Sequence, residues 1–169
     1  MNRHASVAKR LGELLIVLSL NATATWAQWD VSIFMQPFPS PYLSDWEHNP
    51  TIGSLTITNN TSSPTDVLVY LTLTRNSSGV IATGNSNLIS TSPGVPTQVN
   101  SDRFIDWNTV TYTTGMRDQA IQTGRLPEGE YNACVIMKDA GGTVLAANVC
   151  APFTIVYPNP PSLFFPAEG

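Results

Sequence analysis

One stretch of the chain, residues 67–75, reads VLVYLTLTR and decides the fold class. Its apolar and polar positions alternate, which is the period of a β-strand whose two faces meet different surroundings. The residues expected to face the core are Val67, Val69, Leu71 and Leu73. Just upstream, Leu55 and Ile57 alternate with threonines in the same way. The turn residues of 59–64 (NNTSSP) separate the two segments, which predicts a first hairpin between them.

Turn residues recur along the chain every ~8–12 residues, which is the spacing of a β-sandwich. The further strand candidates are residues 31–36, 53–58, 80–83, 87–90, 130–138 and 144–155. Helical character is confined to residues 116–123, which we expect to cross between the sheets and to end at Gly124. We therefore predict an all-β fold for residues 28–157. It is an Ig-like or fibronectin-like antiparallel β-sandwich of about seven strands with one short helix and one disulfide.

The first 27 residues have the features of a signal peptide. Arg3, Lys9 and Arg10 are basic, residues 14–20 (LLIVLSL) are apolar, and residues 22–27 (ATATWA) are mostly small. The apolar run is far shorter than the ~20 residues that a membrane-spanning helix needs. We expect this segment to be cleaved after export, and an uncleaved N-terminal anchor is the alternative. No insertion into a membrane is expected after cleavage.

The exported part, residues 28–169, keeps five basic and eleven acidic residues, a net charge of −6. Its cations are scattered singly as Arg75, Arg103, Arg117, Arg125 and Lys138. A nucleic-acid-binding surface needs clustered cations that neutralise phosphates, and an anionic membrane surface attracts a polybasic patch. Neither nucleic acid nor a membrane surface is therefore an expected partner.

Both cysteines, Cys134 and Cys150, lie in the exported part, where an even pair in an oxidising compartment predicts a disulfide. Metal ligation is the alternative, but it needs more thiol or imidazole ligands than a part with one histidine offers. Residues 139–142 (DAGG) form a turn between two strand candidates, and symmetric pairing about it would place Cys134 opposite Ala147. A bulge or bend between residues 146 and 149 is therefore required for the disulfide.

Three blocks of sequence resemble the TANFOR domain, a module of secreted surface proteins from Bacteroidota-type bacteria. They are residues 39–46 (PSPYLSDW), 125–137 (RLPEGEYNACVIM) and 150–166 (CAPFTIVYPNPPSLFFP). The middle block alone is common to many sandwich domains, in which the Tyr packs at a corner and its hydroxyl caps backbone. The combination of all three makes the resemblance specific. It implies an envelope or extracellular location and a domain without an established activity, and it supplies no catalytic residues.

The one exported histidine, His48, lies in the string SDWEH (residues 44–48) and precedes the turn signal Asn49-Pro50. We therefore expect an exposed loop residue. A Ser-His-Asp hydrolase needs three groups brought together on a rigid scaffold, and a local string of this kind does not supply that arrangement.

Acidic side chains offer two further alternatives. The pairs Asp45/Glu47 and Asp102/Asp106 are candidates for glycosidase carboxylates, although sequence neighbours on a strand rarely stand on either side of a sugar. Asp102, Asp106 and Asp118 are candidate calcium ligands, but the D-x-D-x-D-G run of a calcium loop is missing. Without a phosphate-binding glycine loop or metal-ligand spacing, we predict that the protein is not an enzyme and binds no cofactor or metal.

Several aromatic residues lie near turns or strand ends, where a ring can stack on a sugar or anchor a protein partner. They are Trp29, Tyr42, Trp46, Trp107 and Tyr112. Packing in the core or at a corner is the alternative, because a sandwich of this size usually buries its tryptophans. Trp46 and Trp107 are the candidates for an interaction surface.

The last segment, residues 158–169, carries four of the 13 prolines and is typical of an extended tail. Its apolar cluster of Leu163, Phe164 and Phe165 is a candidate for self-association or docking on a surface partner. The alternative is a tail that plugs one end of its own sandwich. We predict a secreted or cell-surface, non-catalytic structural or adhesive module that associates through this tail and its sheet edges. Carbohydrate binding through exposed aromatics is the second hypothesis.

Overall fold

The strands of the protein form two antiparallel sheets in a computed structural model that describes residues 28–158. The strands are β1 (Trp29–Met35), β2 (Gly53–Asn59), β3 (Thr65–Arg75), β4 (Gly79–Asn85), β5 (Ile89–Thr91), β6 (Pro96–Asn100), β7 (Asp106–Tyr112), β8 (Gly129–Asp139) and β9 (Val144–Ile155). The helices are α1 (Leu43–His48), α2 (Ser101–Phe104) and α3 (Thr114–Thr123). The predicted signal peptide and the predicted tail cluster of Leu163, Phe164 and Phe165 lie outside the described residues.

The smaller sheet has the strand order β1-β2-β6, and the larger sheet has the order β7-β4-β3-β8-β9. β4 and β5 pair with the same edge of β3. β5 pairs with its first residues and β4 with the residues nearer its end. The predicted β-sandwich is confirmed, but the described part of the chain has nine strands and three helices where about seven strands and one short helix are predicted. None of the three helices described is long and apolar enough to span a membrane.

The alternating segments face the core as predicted. Val67, Val69 and Leu73 are buried on β3, and Leu55 and Ile57 of β2 are completely inaccessible to solvent. The residues of β2 pack against those of β3 and against inward residues of β8, so burial of these faces joins the two sheets.

The predicted hairpin between β2 and β3 is wrong. β2 pairs with β1 and β6, whereas β3 pairs with β4, β5 and β8, so residues 60–64 connect one sheet to the other. Alternation defines which face of a strand is buried, but it does not define the neighbouring strand. The buried side chain of Asn59 holds the crossing, because its Nδ2 donates to the carbonyl of Ser63 at 2.9 Å and to Oγ1 of Thr91 at 3.3 Å.

The predicted helix is confirmed as α3, but its predicted position between the sheets is wrong. It connects β7 to β8, and both strands belong to the larger sheet. The helix ends as expected at Gly124, whose φ of +65° lies in the left-handed region that favours glycine. The backbone N–H of Gly124 donates to the carbonyl of Ala120 and closes the last turn.

The predicted hairpin between β8 and β9 is confirmed, together with its irregularity. Lys138 pairs with Val144, but Val135 pairs with Val149, so the register shifts along the hairpin. Ala147 and Asn148 together lie opposite the single residue Ile136, which is a β-bulge. Asn148 has a φ of +22°, a value more accessible to Asn than to most other residues.

The bulge brings Cys134 directly opposite Cys150, and the two form the predicted disulfide. Their Cα atoms are 4.0 Å apart. In an antiparallel ladder, this short distance is typical of opposite residues that are not hydrogen-bonded to each other. The disulfide joins neighbouring strands of one sheet and does not link the two sheets. Cys150 is exposed, so the bond lies on the outer face of the larger sheet.

The disulfide should stabilise the fold mainly by lowering the conformational entropy of the unfolded chain. It closes a loop over a sequence separation of 16 residues, for which chain entropy predicts a contribution of about 3 kcal/mol. We expect the double variant Cys134→Ser/Cys150→Ser to fold and to lose about this free energy of unfolding. Urea denaturation followed by circular dichroism measures the loss, and the reduced wild-type protein should match the variant. An unchanged denaturation midpoint would contradict the prediction.

Candidate functional site

The segment before β8 forms the predicted tyrosine corner. Tyr131 is 1% exposed, and its hydroxyl donates a hydrogen bond of 2.6 Å to the carbonyl oxygen of Pro127. Gly129 lies between them with a φ of +146°, and a Cβ there would come within 3.0 Å of Nε of Arg75. The backbone conformation therefore favours glycine, and a larger residue would also require the flexible side chain of Arg75 to shift. Burial raises the pKa of Tyr131 to about 12, although the positive charge of Arg75 opposes this effect.

Trp46 belongs to the same corner. Its ring centroid is 5.4 Å from that of Phe153, which stacks in turn on Tyr131 at 5.2 Å. The indole N–H of Trp46 donates to the carbonyl of Ser40 at 2.7 Å, and the residue is only 6% exposed. The prediction of an exposed interaction surface at Trp46 is therefore wrong, because its ring packs in the core. We call Trp46, Tyr131 and Phe153 the corner cluster.

The three blocks that resemble the TANFOR domain meet at this corner. The backbone N–H of Leu126 donates to the carbonyl of Pro41 at 2.8 Å, which joins the first block to the second. The hydroxyl of Tyr157 donates to the carbonyl of Leu126 at 2.9 Å, which joins the third block to the second. The guanidinium of Arg125 lies 4.8 Å from the centroid of the Tyr157 ring. Within the described residues, these block residues make structural contacts at one end of the sandwich.

His48 and its acidic neighbours lie on the surface. His48 ends α1 and is exposed as predicted, but it is helical and not part of a loop. Its Nδ1 donates to the carbonyl of Ser44 at 2.9 Å. Asp45 and Glu47 are also exposed on α1, and Asp45 accepts a hydrogen bond from the hydroxyl of Ser40.

The other acidic candidates are separated by the fold. Asp102 lies in α2 and Asp118 in α3, whereas Asp106 begins β7. The Oδ1 atom of Asp106 accepts hydrogen bonds from the backbone and side-chain nitrogens of Asn108, each at 3.0 Å. Within residues 28–158, the structure groups no three His, Cys, Asp or Glu side chains that could hold a metal ion.

Trp107 is partly buried and lines an apolar cavity of about 40 Å³ between the sheets. The walls include Met35, Ile52, Phe104 and Leu126. The indole N–H of Trp107 is buried and has no hydrogen-bond partner in the described part of the chain. A space of this size has room for a few water molecules but not for a ligand of drug size. An interaction role for Trp107 stays a prediction.

The free edge of β9 offers few groups to another strand. The backbone N–H of Thr154 points to this edge and donates to the carbonyl of Pro37 at 2.9 Å. Pro152, two residues earlier on the same edge, has no N–H to donate. The bulge at Asn148 interrupts the strand further back. Prolines and bulges of this kind are the common devices that prevent pairing between sheet edges.

The backbone hydrogen bonds of the smaller sheet show which N–H and C=O groups of β6 have no partner in that sheet. At one end of the β1–β2 ladder, the backbone N–H of Gln36 donates to the carbonyl of Ile52 at 2.8 Å. Backbone bonding in an antiparallel ladder alternates from one residue to the next. In β2, Leu55 and Ile57 therefore direct their N–H and C=O groups away from β1 and toward β6.

The free edge of β6 is open, in contrast to that of β9. The partners of Leu55 and Ile57 are Val99 and Thr97, so Gln98 between them directs its backbone groups to the opposite edge. In the described part of the chain, β6 pairs only with β2 and β5 pairs only with β3. A cleft of about 570 Å³ separates β5 from β6, and Leu88 lines it at 57% exposure.

A second surface groove, which sequence analysis did not identify, lies beside the corner. It has a volume of about 420 Å³ and is lined by Pro37, Phe38, Asn76, Glu130, Tyr131, Asn132, Pro152, Phe153 and Thr154. Phe38 is 71% exposed. The sequence signal was an aromatic residue between prolines in the stretch QPFPSP, just after the first strand candidate.

No protein-family model matches the chain, and no curated protein matches it, so the resemblance to the TANFOR domain stays a prediction. The solved structures that are similar to parts of the chain include two enzymes and a pilin in complex with its chaperone. An alkylpurine DNA glycosylase, AlkC of Pseudomonas fluorescens, bound to DNA containing an abasic site analog, is 12% identical with a TM-score of 0.43. The match covers 83% of this chain and 33% of the glycosylase.

A β-glucuronidase of glycoside hydrolase family 2 is 14% identical with a TM-score of 0.41, over 79% of this chain and 12% of that enzyme. The Salmonella enterica SafA pilin in complex with the SafB chaperone is 14% identical with a TM-score of 0.32, over 75% of this chain and 53% of the matched chain. This chain therefore spans a third or less of the two enzymes. Likenesses this distant carry no argument about function.

The tyrosine corner should contribute measurably to stability. Tyr131→Phe removes the donor to Pro127 and leaves a buried carbonyl without its partner, so we expect a loss of about 1–3 kcal/mol. The control Tyr70→Phe, on a residue that is 42% exposed, should change stability by less than about 0.5 kcal/mol. Because the pKa of Tyr131 is raised in the folded state, its stabilising effect is complete below pH 10 and is lost between pH 10 and 12. Urea denaturation at several alkaline pH values should show this decrease in the wild type and a smaller one in Tyr131→Phe.

Proposed function

We propose that the protein is a non-catalytic structural or adhesive module, exported from the cell, that acts through contacts with other proteins and with copies of itself. The observation that carries this proposal is the open edge of β6. An edge strand with free backbone groups is a template for an added strand. Gln98 presents such groups to the cleft between β5 and β6, while the edge of β9 is covered and interrupted.

The surroundings of the β6 edge support association with an extended protein segment. Leu88 and Val95, which immediately precede β5 and β6, are 57% and 56% exposed. Exposed apolar side chains beside free backbone groups supply both the contact area and the hydrogen bonds that strand addition uses. Two copies that pair β6 with β6 in antiparallel orientation would form a two-fold symmetric contact and one continuous sheet.

Export is supported by the disulfide. Cys134 and Cys150 are paired on the outer face of the sheet, where Cys150 is exposed to any reductant in solution. Disulfides persist in secreted and cell-surface proteins but are rare in the cytosol. The predicted signal peptide and the resemblance to the TANFOR domain agree with a secreted or envelope location.

The β6 edge can be tested with two substitutions at one residue. Gln98→Pro removes the backbone N–H that points to the free edge and leaves the bonds between β6 and β2 in place. Gln98→Ala changes only the side chain and is the matched control. We expect residues 28–169 to associate with increasing concentration in multi-angle light scattering, Gln98→Ala to behave like the wild type, and Gln98→Pro to associate at least tenfold more weakly, about 1.4 kcal/mol.

A monomeric wild type at every concentration would reject self-association. Equal association of the wild type and Gln98→Pro would reject β6 as the edge that mediates it. Melting temperatures of both variants establish that the fold is retained.

The predicted tail is tested by its removal. Deleting residues 159–169 keeps Tyr157 and its hydrogen bonds to Leu126 and Glu128, so the described contacts of the corner remain. If Leu163, Phe164 and Phe165 mediate association, the truncated chain should be smaller in light scattering at an unchanged melting temperature. If the tail plugs its own sandwich, the melting temperature should fall while the number of chains per particle stays the same. Unchanged association would reject a role for the tail in assembly.

A further inference from the structure

The groove beside Phe38 lies on the outer face of the larger sheet, where β8 begins and β9 ends. It is separate from the cleft between β5 and β6, and no residue lines both. Its volume of about 420 Å³ falls within the range of small-ligand sites, roughly 300–1,000 Å³. The groove therefore has room for one or two rings of a small molecule or chain.

The floor of the groove carries a fixed row of polar side chains. Nδ2 of Asn76 donates to Oε2 of Glu130 at 2.9 Å, and Nδ2 of Asn132 donates to Oδ1 of Asn76 at 3.2 Å. These bonds hold two amides and one carboxylate side by side. Each amide nitrogen keeps a second hydrogen, and within the described residues Oε1 of Glu130 and Oδ1 of Asn132 accept no hydrogen bond. Donors and acceptors are thus arranged together and remain free for a ligand.

The wall of the groove is apolar. Phe38 is 71% exposed and follows Pro37, whose carbonyl accepts the hydrogen bond from Thr154, and Pro152 also lines the groove. An exposed phenyl ring beside an anchored backbone offers an apolar surface on which a ligand ring can stack. The ring and the polar row together match a ligand that has an apolar face and a hydroxylated edge.

An added peptide strand does not fit this groove. Of the groups that such a strand would use, the N–H of Thr154 is already bonded to Pro37, and Pro152 has none. Recognition here must therefore use side chains. Sugar hydroxyls both donate and accept hydrogen bonds, and vicinal pairs of them match neighbouring amide and carboxylate groups. The carboxylate of Glu130 and the net charge of −6 of residues 28–169 oppose an anionic ligand.

We propose that the groove formed by Phe38, Asn76, Glu130 and Asn132 binds a neutral saccharide. One face of a pyranose ring stacks on Phe38, and its hydroxyls bond to the free groups of Glu130 and Asn132. This site does not depend on strand pairing at β6. Saccharide binding and self-association can therefore be confirmed or rejected separately.

The test uses residues 28–169 on an array of neutral and acidic glycans, followed by titration calorimetry with the best neutral oligosaccharide. Phe38→Ala and Asn132→Ala should each weaken binding about tenfold, as expected for loss of a stacking ring or of a pair of hydrogen bonds. Ile121→Ala and Gln98→Ala are the controls, since Ile121 is 73% exposed on α3 and Gln98 lies on β6. Both controls should bind like the wild type, and melting temperatures should show that all four variants fold.

Three results with the wild type and the Phe38 variant would overturn the proposal, and a fourth comes from the Gln98 control. The first three are binding of no neutral glycan on the array, preference for acidic glycans, and equal affinity of the wild type and Phe38→Ala. Weakening by Gln98→Ala to the same degree would place the saccharide in the other cleft and would also reject the groove. Light scattering of Phe38→Ala separates this site from the proposed self-association, because the substitution should leave assembly unchanged.

Discussion

The pairing of β3 with β8 is the constraint on which the rest of the structure depends. The two strands stay in register over nine consecutive residue pairs, from Val67 with Asp139 to Arg75 with Tyr131, without a bulge. One face of this ladder supplies the core of the sandwich, and the other supplies the outer surface. The disulfide and the polar row of the groove both lie on that outer face. A shift of the β3–β8 register by a single residue would turn the side chains of one strand to the opposite face. The core and the outer surface with its disulfide and polar row would then both be lost.

Much of this architecture is predictable because alternation is a local property. The sequence predicts the inward faces of β2 and β3, the end of α3 at Gly124, and the bulge that the disulfide requires. The pairing of β2 was mispredicted, because its neighbour depends on which surfaces can be buried together and not on its own pattern. β6 and β7 were missed because Pro96 begins the first and the alternation of the second breaks at Thr109. The hydroxyl of Thr109 bonds to both Asn85 and Asp106 there, a tertiary arrangement that no local pattern reveals.

The surfaces were harder to predict than the fold. A tryptophan beside a turn is equally consistent with exposure and with burial, and only the packing of Phe153 against Trp46 decides the matter. Phe38, in contrast, is exposed, and the neighbouring carbonyl of Pro37 accepts a hydrogen bond from Thr154 at the edge of the sheet. The row from Glu130 through Asn76 to Asn132 joins residues more than fifty positions apart in sequence. Its existence depends on the β3–β8 register, which no single residue of the sequence reveals.

The position of the disulfide also has a consequence for how the chain reaches this structure. Symmetric closure of the turn at residues 139–142 is the simplest hairpin, and it places Cys134 opposite Ala147. That arrangement differs from the native one by an odd number of residues, so Phe153 and Ile155 would face water. The native alignment places the two thiols opposite each other, whereas the symmetric hairpin holds them apart, so a hairpin with this disulfide cannot adopt the symmetric alignment. The disulfide therefore specifies the alignment of the last strand in addition to stabilising the fold, because the bond is compatible with the native register and not with the symmetric one.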